Sequence, residues 1–149
     1  MYLAFDPGKT TGWAMFEPTN GMLVDSGQAS LESLMSLCRE WESLDLQGVI
    51  YEQYRVFRHK AMQQTGSKME VAQAIGIIKS LAHHKNLQPV VQESNIKSIA
   101  EKWTGIKVPA DHSISHRYDA ILHGSYYLIG QGVAKSRLQI EEEAKRNGM

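Results

Sequence analysis

The spacing of the short apolar runs most constrains what this chain can fold into. Tyr2–Phe5, Gly12–Phe16, Met22–Ala29, Val49–Tyr51 and Leu87–Val91 are each strand-length, and turn residues or helical periodicity separate them. The first two are joined by Pro7-Gly8-Lys9-Thr10-Thr11, and Glu17-Pro18-Thr19-Asn20-Gly21 follows the second. Ser30 is placed to cap a helix in which Leu31, Leu34, Met35, Cys38, Trp41 and Leu44 recur at helical spacing. Gln53–Gly66 is polar and basic without a period, and is expected to be a long loop. Ser67-Lys-Met-Glu70 has the form of a capping box, so the next helix is expected to start there and run to about Asn86. Ser94 is expected to cap a short helix ending near Trp103, with Gly105 just beyond it. After a loop at 106–113, helices are expected from about Ile114 to Ile129 and from about Lys135 to Arg146. The order β-β-β-α-β-α-β-α-α implies an α/β domain: a mixed five-stranded sheet with helices on both faces.

Composition narrows the class. A length of 149 residues is expected to form one domain with a sizeable core, and 42% hydrophobic with 21% charged residues excludes a disordered chain. The single cysteine, Cys38, excludes an internal disulfide framework and a cysteine-rich zinc site. The start MYLAFDPG lacks a basic leader region, and no run reaches about 18 apolar residues. The expectation is a protein of a reducing cytoplasm with no membrane partner. Net charge is zero, yet residues 1–54 carry 2 basic and 8 acidic side chains, and residues 55–110 carry 9 basic and 3 acidic. Such a hidden basic segment suits a nucleic-acid face, although a merely uneven solvated surface would look the same.

The acidic residues carry the chemistry. Asp6 ends the first strand and Glu52 the fourth; if those strands are parallel neighbours, both carboxylates emerge at one edge. His116 and Asp119 are three apart on a helix and share a face. Hard cations prefer such oxygen donors, and carboxylates converging there could hold a metal pair for phosphodiester hydrolysis. Each residue also has a plainer role: a turn former in Asp6-Pro7-Gly8, a strand end at Glu52, a solvated helix face at His116 and Asp119.

The segments LAFDPGKTTGWAMF, VIYEQYRVF, EVAQAIGIIKSLAHHKNLQPVVQESNIKSIAEKWTG and SHRYDAILHGSYYL, in this order, resemble the core of the RuvC family of Holliday-junction resolvases over residues 2–129. The element order is also that of the ribonuclease H-like fold. The resemblance implies that fold, a homodimer, and Mg²⁺-dependent hydrolysis of four-way DNA junctions into ligatable nicks. Two Mg²⁺ per site are implied, with Mn²⁺ able to substitute. Asp6, Glu52 and Asp119 match the family's catalytic acids. His116 matches a position that is Asp in some members and His in others, which implies a metal ligand or a group that positions the attacking water. Lys97 falls where the family has a basic residue near the scissile phosphate, with Lys102 and Lys107 nearby as backbone contacts. Tyr54 or Phe57 falls where the family places an aromatic wedge at the junction centre, with core packing as the plainer role. Arg55, Arg58, His59 and Lys60 would then lie on a DNA-facing loop. The first turn is one residue shorter than in the cellular enzymes, the loop after Glu52 differs, and the chain is compact. It looks more like the bacteriophage members, some of which act on branched DNA more broadly.

Other signals are weaker. Gly8-Lys9-Thr10 looks like the end of a P-loop, but Leu3 stands where its first glycine belongs. The same turn resembles a phosphate loop of actin-like ATPases, which need a second domain. His112, His116, Asp119 and His123 could suggest zinc, but a partly buried helix face is the expectation for His123. The helix at 67–86 is apolar around most of its circumference, so part of it is expected to meet a partner copy. Two alternatives remain open: a ribosomal-RNA-processing nuclease of the same superfamily, and a non-catalytic nucleic-acid-binding module of that fold.

Overall fold

A computed structural model describes residues 1–53 and 65–148. Its strands are β1 (Tyr2–Asp6), β2 (Thr11–Phe16), β3 (Leu23–Ala29), β4 (Gly48–Glu52) and β5 (Val90–Gln92). Its helices are α1 (Leu31–Trp41), α2 (Thr65–His84), α3 (Lys97–Thr104), α4 (Ser115–Gly130) and α5 (Arg137–Arg146), with a 3₁₀ turn at Ser94–Ile96 before α3. The sheet order is β3-β2-β1-β4-β5. β1, β2 and β3 pair antiparallel, whereas β1–β4 and β4–β5 pair parallel. No helix among the described residues is long and apolar enough to cross a membrane.

Strand alternation assigns each residue to a face. Leu3 and Phe5 of β1, with Val49 and Tyr51 of β4, pack against Leu34, Cys38 and Trp41 of α1 and Ala74, Ile78 and Leu81 of α2. Ala4, Ala14, Phe16 and Ile50 point the other way, against Ala120, Ile121 and Leu128 of α4. One residue past Phe5 and one past Tyr51, Asp6 and Glu52 therefore fall on the α4 side. Their strands are parallel neighbours, with Phe5 opposite Tyr51, so both acids emerge together.

Several boundaries move for identifiable reasons. α2 begins at Thr65, two residues before the expected start at Ser67. α1 ends at Trp41 rather than Leu44, with Ser30 capping its start through the Ser33 amide as expected. β5 is shorter than Leu87–Val91: the Leu87 amide donates to the Ala82 carbonyl, 2.8 Å away, closing α2, and Pro89 has no amide to give a ladder. Ser94 opens the 3₁₀ turn without a side-chain cap, and α3 stops at a left-handed Gly105. α5 starts at Arg137 because Ser136 and Gln139 form a reciprocal capping box. The second apolar side of α2 is not left bare as expected. α1 lies alongside it, Ile75 and Ile77 are half-buried, and the outer face shows Gln73, Lys79, Ser80 and His83. Between the two helices runs a groove of about 640 Å³, lined in part by Leu31, Met35, Cys38 and Ile77.

Candidate active site

The site is built where the C-terminal ends of β1, β4 and β5 meet one stripe of α4. Glu52 and Gln92 are register partners across β4 and β5. Gln92 shares the face of Val90, which packs in the α4-side core. Asp6, Glu52 and Gln92 thus form a row over three neighbouring strands, about 4.8 Å apart from one strand to the next. Opposite them, His116, Asp119 and His123 sit at helical positions i, i+3 and i+7, rising about 10 Å along α4. That rise matches the width of the row.

Gly12 is what lets α4 come so close. A Cβ built there would lie 1.8 Å from the His116 carbonyl oxygen, so no other residue fits without moving the start of the helix. The same segment is pinned from β3. Gln28 accepts from the Arg117 amide at 3.1 Å and donates to the Ser113 carbonyl at 2.8 Å, and Arg117 Nε donates to Ser26 Oγ at 2.7 Å.

The contacts within the site are polar and close. His116 Nδ1 lies 2.7 Å from Asp6 Oδ2, and Lys97 Nζ, at the start of α3, lies 3.3 Å from Asp119 Oδ1. His123 Nε2 lies 3.4 Å from Glu52 Oε2, and its Nδ1 lies 2.8 Å from Gln92 Oε1. Burial pushes the Asp6 carboxyl up to about 7; the His116 hydrogen bond opposes this, and Glu52 and Asp119 add to it. Asp119 is also raised, by burial first, against the pull of Lys97. Burial acts to raise Glu52 as well, but hydrogen bonds from His123 and Asp6 and the charges of His123 and Lys97 hold it below the usual value. The hydrogen bond to Asp6 raises His116. Asp6 and His116 both shift toward holding a proton, Asp6 chiefly because it is buried and His116 chiefly because it is hydrogen-bonded to Asp6.

The three carboxylates of Asp6, Glu52 and Asp119 are hard oxygen donors, and such a set fits a divalent cation such as Mg²⁺ or Mn²⁺. Among the described residues no three His, Cys, Asp or Glu side chains are closed into a cation-binding cluster. The carboxylates are instead engaged by His116, Lys97 and His123, with which a cation would compete. Of the other residues the sequence offered as soft ligands, His112 is exposed and Cys38 lies buried on the other face of the sheet.

The expected residues are thus distributed unevenly. Asp6, Glu52, His116, Asp119 and Lys97 come together. Lys102, lining a groove against α5, and Lys107, in the connection after α3, are exposed and not bridged to the carboxylates. Tyr54, Arg55, Phe57, Arg58, His59 and Lys60 lie outside the described residues. His123 departs from expectation: it is only 3% exposed and reaches into the acidic cluster. Its spacing from His116 and Asp119 was the available signal. Gln92, in a three-residue strand, carried none.

No protein-family model matches the chain, and no curated protein sequence matches it. Solved structures do. RuvC of Thermus thermophilus in complex with a Holliday junction substrate is similar over 91% of this chain and 98% of that chain, with a TM-score of 0.63 and 13% identity. A second structure of Thermus thermophilus RuvC matches over the same shares, with a TM-score of 0.57 and 14% identity. A Fowlpox virus resolvase solved with Holliday junction DNA overlaps over 65% of this chain and 64% of that one, with a TM-score of 0.46 and 17% identity. The chain has the ribonuclease H-like fold of RuvC.

Proposed function

We propose that this protein is a divalent-metal-dependent endonuclease that nicks branched DNA, four-way junctions above all. The observation that carries this reading is the convergence of Asp6, Glu52 and Asp119 at the ends of two parallel strands and on α4, beside Lys97. The fold it shares with a protein solved on a Holliday junction substrate supports the choice of DNA.

In this reading Asp6, Glu52 and Asp119, with His116 as a further ligand or as the group that positions the water, would hold two Mg²⁺, and Mn²⁺ would be able to replace them. Bound divalent cations supply Lewis acidity at the phosphate and an ionised water. His116, anchored to Asp6 through Nδ1, orients the attacking water or takes its proton at Nε2. Lys97 Nζ counters the charge that builds on the scissile phosphate. Tyr54 or Phe57, with Arg55, Arg58 and Lys60, contacts the junction, and Lys102 and Lys107 contact backbone farther out. Paired nicks need two sites, so the active form is a homodimer. The apolar groove between α1 and α2 supports this, since it leaves Met35 half-exposed.

The test is a denaturing-gel assay offering a four-way junction, a fork, a flap and plain duplex in Mg²⁺, with Asp6→Asn alongside and light scattering for mass. Paired symmetric nicks in the junction, absent from the variant, and the mass of two chains are expected. Cuts in forks and flaps as well would widen the substrate to branched DNA in general. No cleavage of any DNA, even in Mn²⁺, would overturn the reading and turn attention to structured RNA.

A further inference from the structure

We propose that His123 is a positioning residue for Glu52, with Gln92 holding the imidazole from its far side. This rests on the reading of Glu52 as one of the cation-holding carboxylates. Glu52 ends a strand, and its long side chain has three rotatable bonds; left alone, it would sample orientations that miss Asp6 and Asp119. The His123 ring removes that freedom. It is 3% exposed, its Nε2 is 3.4 Å from Glu52 Oε2 and its Nδ1 is 2.8 Å from Gln92 Oε1. Both ring nitrogens therefore meet oxygen partners, and the ring plane is held at both ends.

The backbone prepares this bridge. Glu52 and Gln92 are opposite each other across β4 and β5, and strand alternation places both on the α4 face. The pairing continues one residue further, where the Gln53 amide donates to the Gln92 carbonyl at 2.7 Å. The Gln92 backbone is thus paired with β4, and the ring spans two adjacent strands. A buried imidazole without partners would be costly at this position, where an apolar side chain could serve packing alone. The ring's side-chain partners at hydrogen-bonding range are Glu52 and Gln92, so it is Glu52 that it positions. Outer partners that orient carboxylate ligands commonly matter by about 10- to 100-fold in metal affinity or activity.

The experiment compares wild type, His123→Ala, His123→Gln, Gln92→Leu, the His123→Ala/Gln92→Leu double variant and, for the spectra, Glu52→Gln. On metal-free protein, imidazole ¹H–¹⁵N spectra should show the His123 signals shifting in both Gln92→Leu and Glu52→Gln. Unmoved signals in either would overturn the bridge. Calorimetry with Mn²⁺ alone should show affinity falling about 10- to 100-fold in His123→Ala and less in Gln92→Leu, with partial retention in His123→Gln. Single-turnover nicking should fall in the same order while junction affinity stays at the wild-type level, and the double variant should be no worse than His123→Ala. Losses that add in the double variant would mean that Gln92 does not act through His123 and would overturn the bridge, and a lower melting temperature with unchanged Mn²⁺ affinity would mean that His123 serves packing only. Should His123→Ala not fold, Gln92→Leu, altered at a half-buried strand end, carries the same test. A wild-type protein that nicks no DNA would overturn the nuclease reading, while the imidazole spectra would still decide the bridge.

Discussion

The two faces of the sheet use the same strands for opposite ends. On the α1–α2 side, Phe5 and Tyr51 close a dry core with Leu34, Trp41 and Ile78. One residue further along the same two strands, Asp6 and Glu52 turn to the α4 side and meet histidine, lysine and a third acid. A step of one residue separates the apolar core from a charged cluster because side chains in a strand alternate. The dry face supplies stability without regard to chemistry. The α4 face supplies less apolar burial at its edge and tolerates three carboxylates there, where burial first, and neighbouring acids second, raise Asp6 and Asp119.

The contrast can be broken most sharply at the strand ends. Asp6→Asn should reduce nicking by more than about 100-fold, a larger loss than outer partners of a metal site usually cause. Junction binding and the melting temperature should hold or rise, since the change removes a repelling charge from a buried place. A variant that fails to fold would make Asp6 structural. Next in size is the dry face: Leu34→Ala or Ile78→Ala should cost about 2–5 kcal/mol in denaturant unfolding. The folded fraction should nick at the wild-type rate, and a slower rate there would mean that the two faces are coupled.

Gly12→Ala tests the seam between them. Its added carbon would collide with the His116 carbonyl, so α4 must shift, at a cost of about 1–3 kcal/mol by overpacking. Here stability and nicking should fall together, because the helix that moves carries His116 and Asp119. Retained activity would show that the site adapts to a displaced α4. The smallest effect is expected at Cys38. Burial pushes its thiol up to about 12, with Glu42 adding to the rise. The folded state favours the neutral thiol, so its contribution to stability is complete below the ordinary value of 9.0 and is lost as pH climbs toward about 12. A thiol reagent at pH 8.5 should therefore label Cys38 only as fast as the protein opens; immediate labelling would mean a looser α1–α2 layer.

The acids at Asp6 and Glu52 were legible because strand ends punctuate apolar runs, and His116 with Asp119 because a three-residue interval on a helix is a shared face. Lys97 was legible only through the family resemblance. The His123–Gln92 bridge was not legible. A histidine on the apolar side of a helix looks like packing until the strand it faces is known, and Gln92 sits in a strand too short to show a period. The apolar circumference of α2 was only partly informative. It suggested a partner chain, but α1 already covers part of it, and that contact joins two helices the sequence pattern alone does not pair.

By itself, then, the sequence determined the order of the elements, the alternation of each strand and the residues at each strand end. These are local properties, set by backbone sterics and by which side chains repeat at which interval. Only the tertiary structure decided which strand ends are neighbours, how near α4 could come over Gly12, and which histidine meets which acid. Those contacts join residues as far apart as 110 positions, as in His116 with Asp6, and they exist only once the chain has closed on itself.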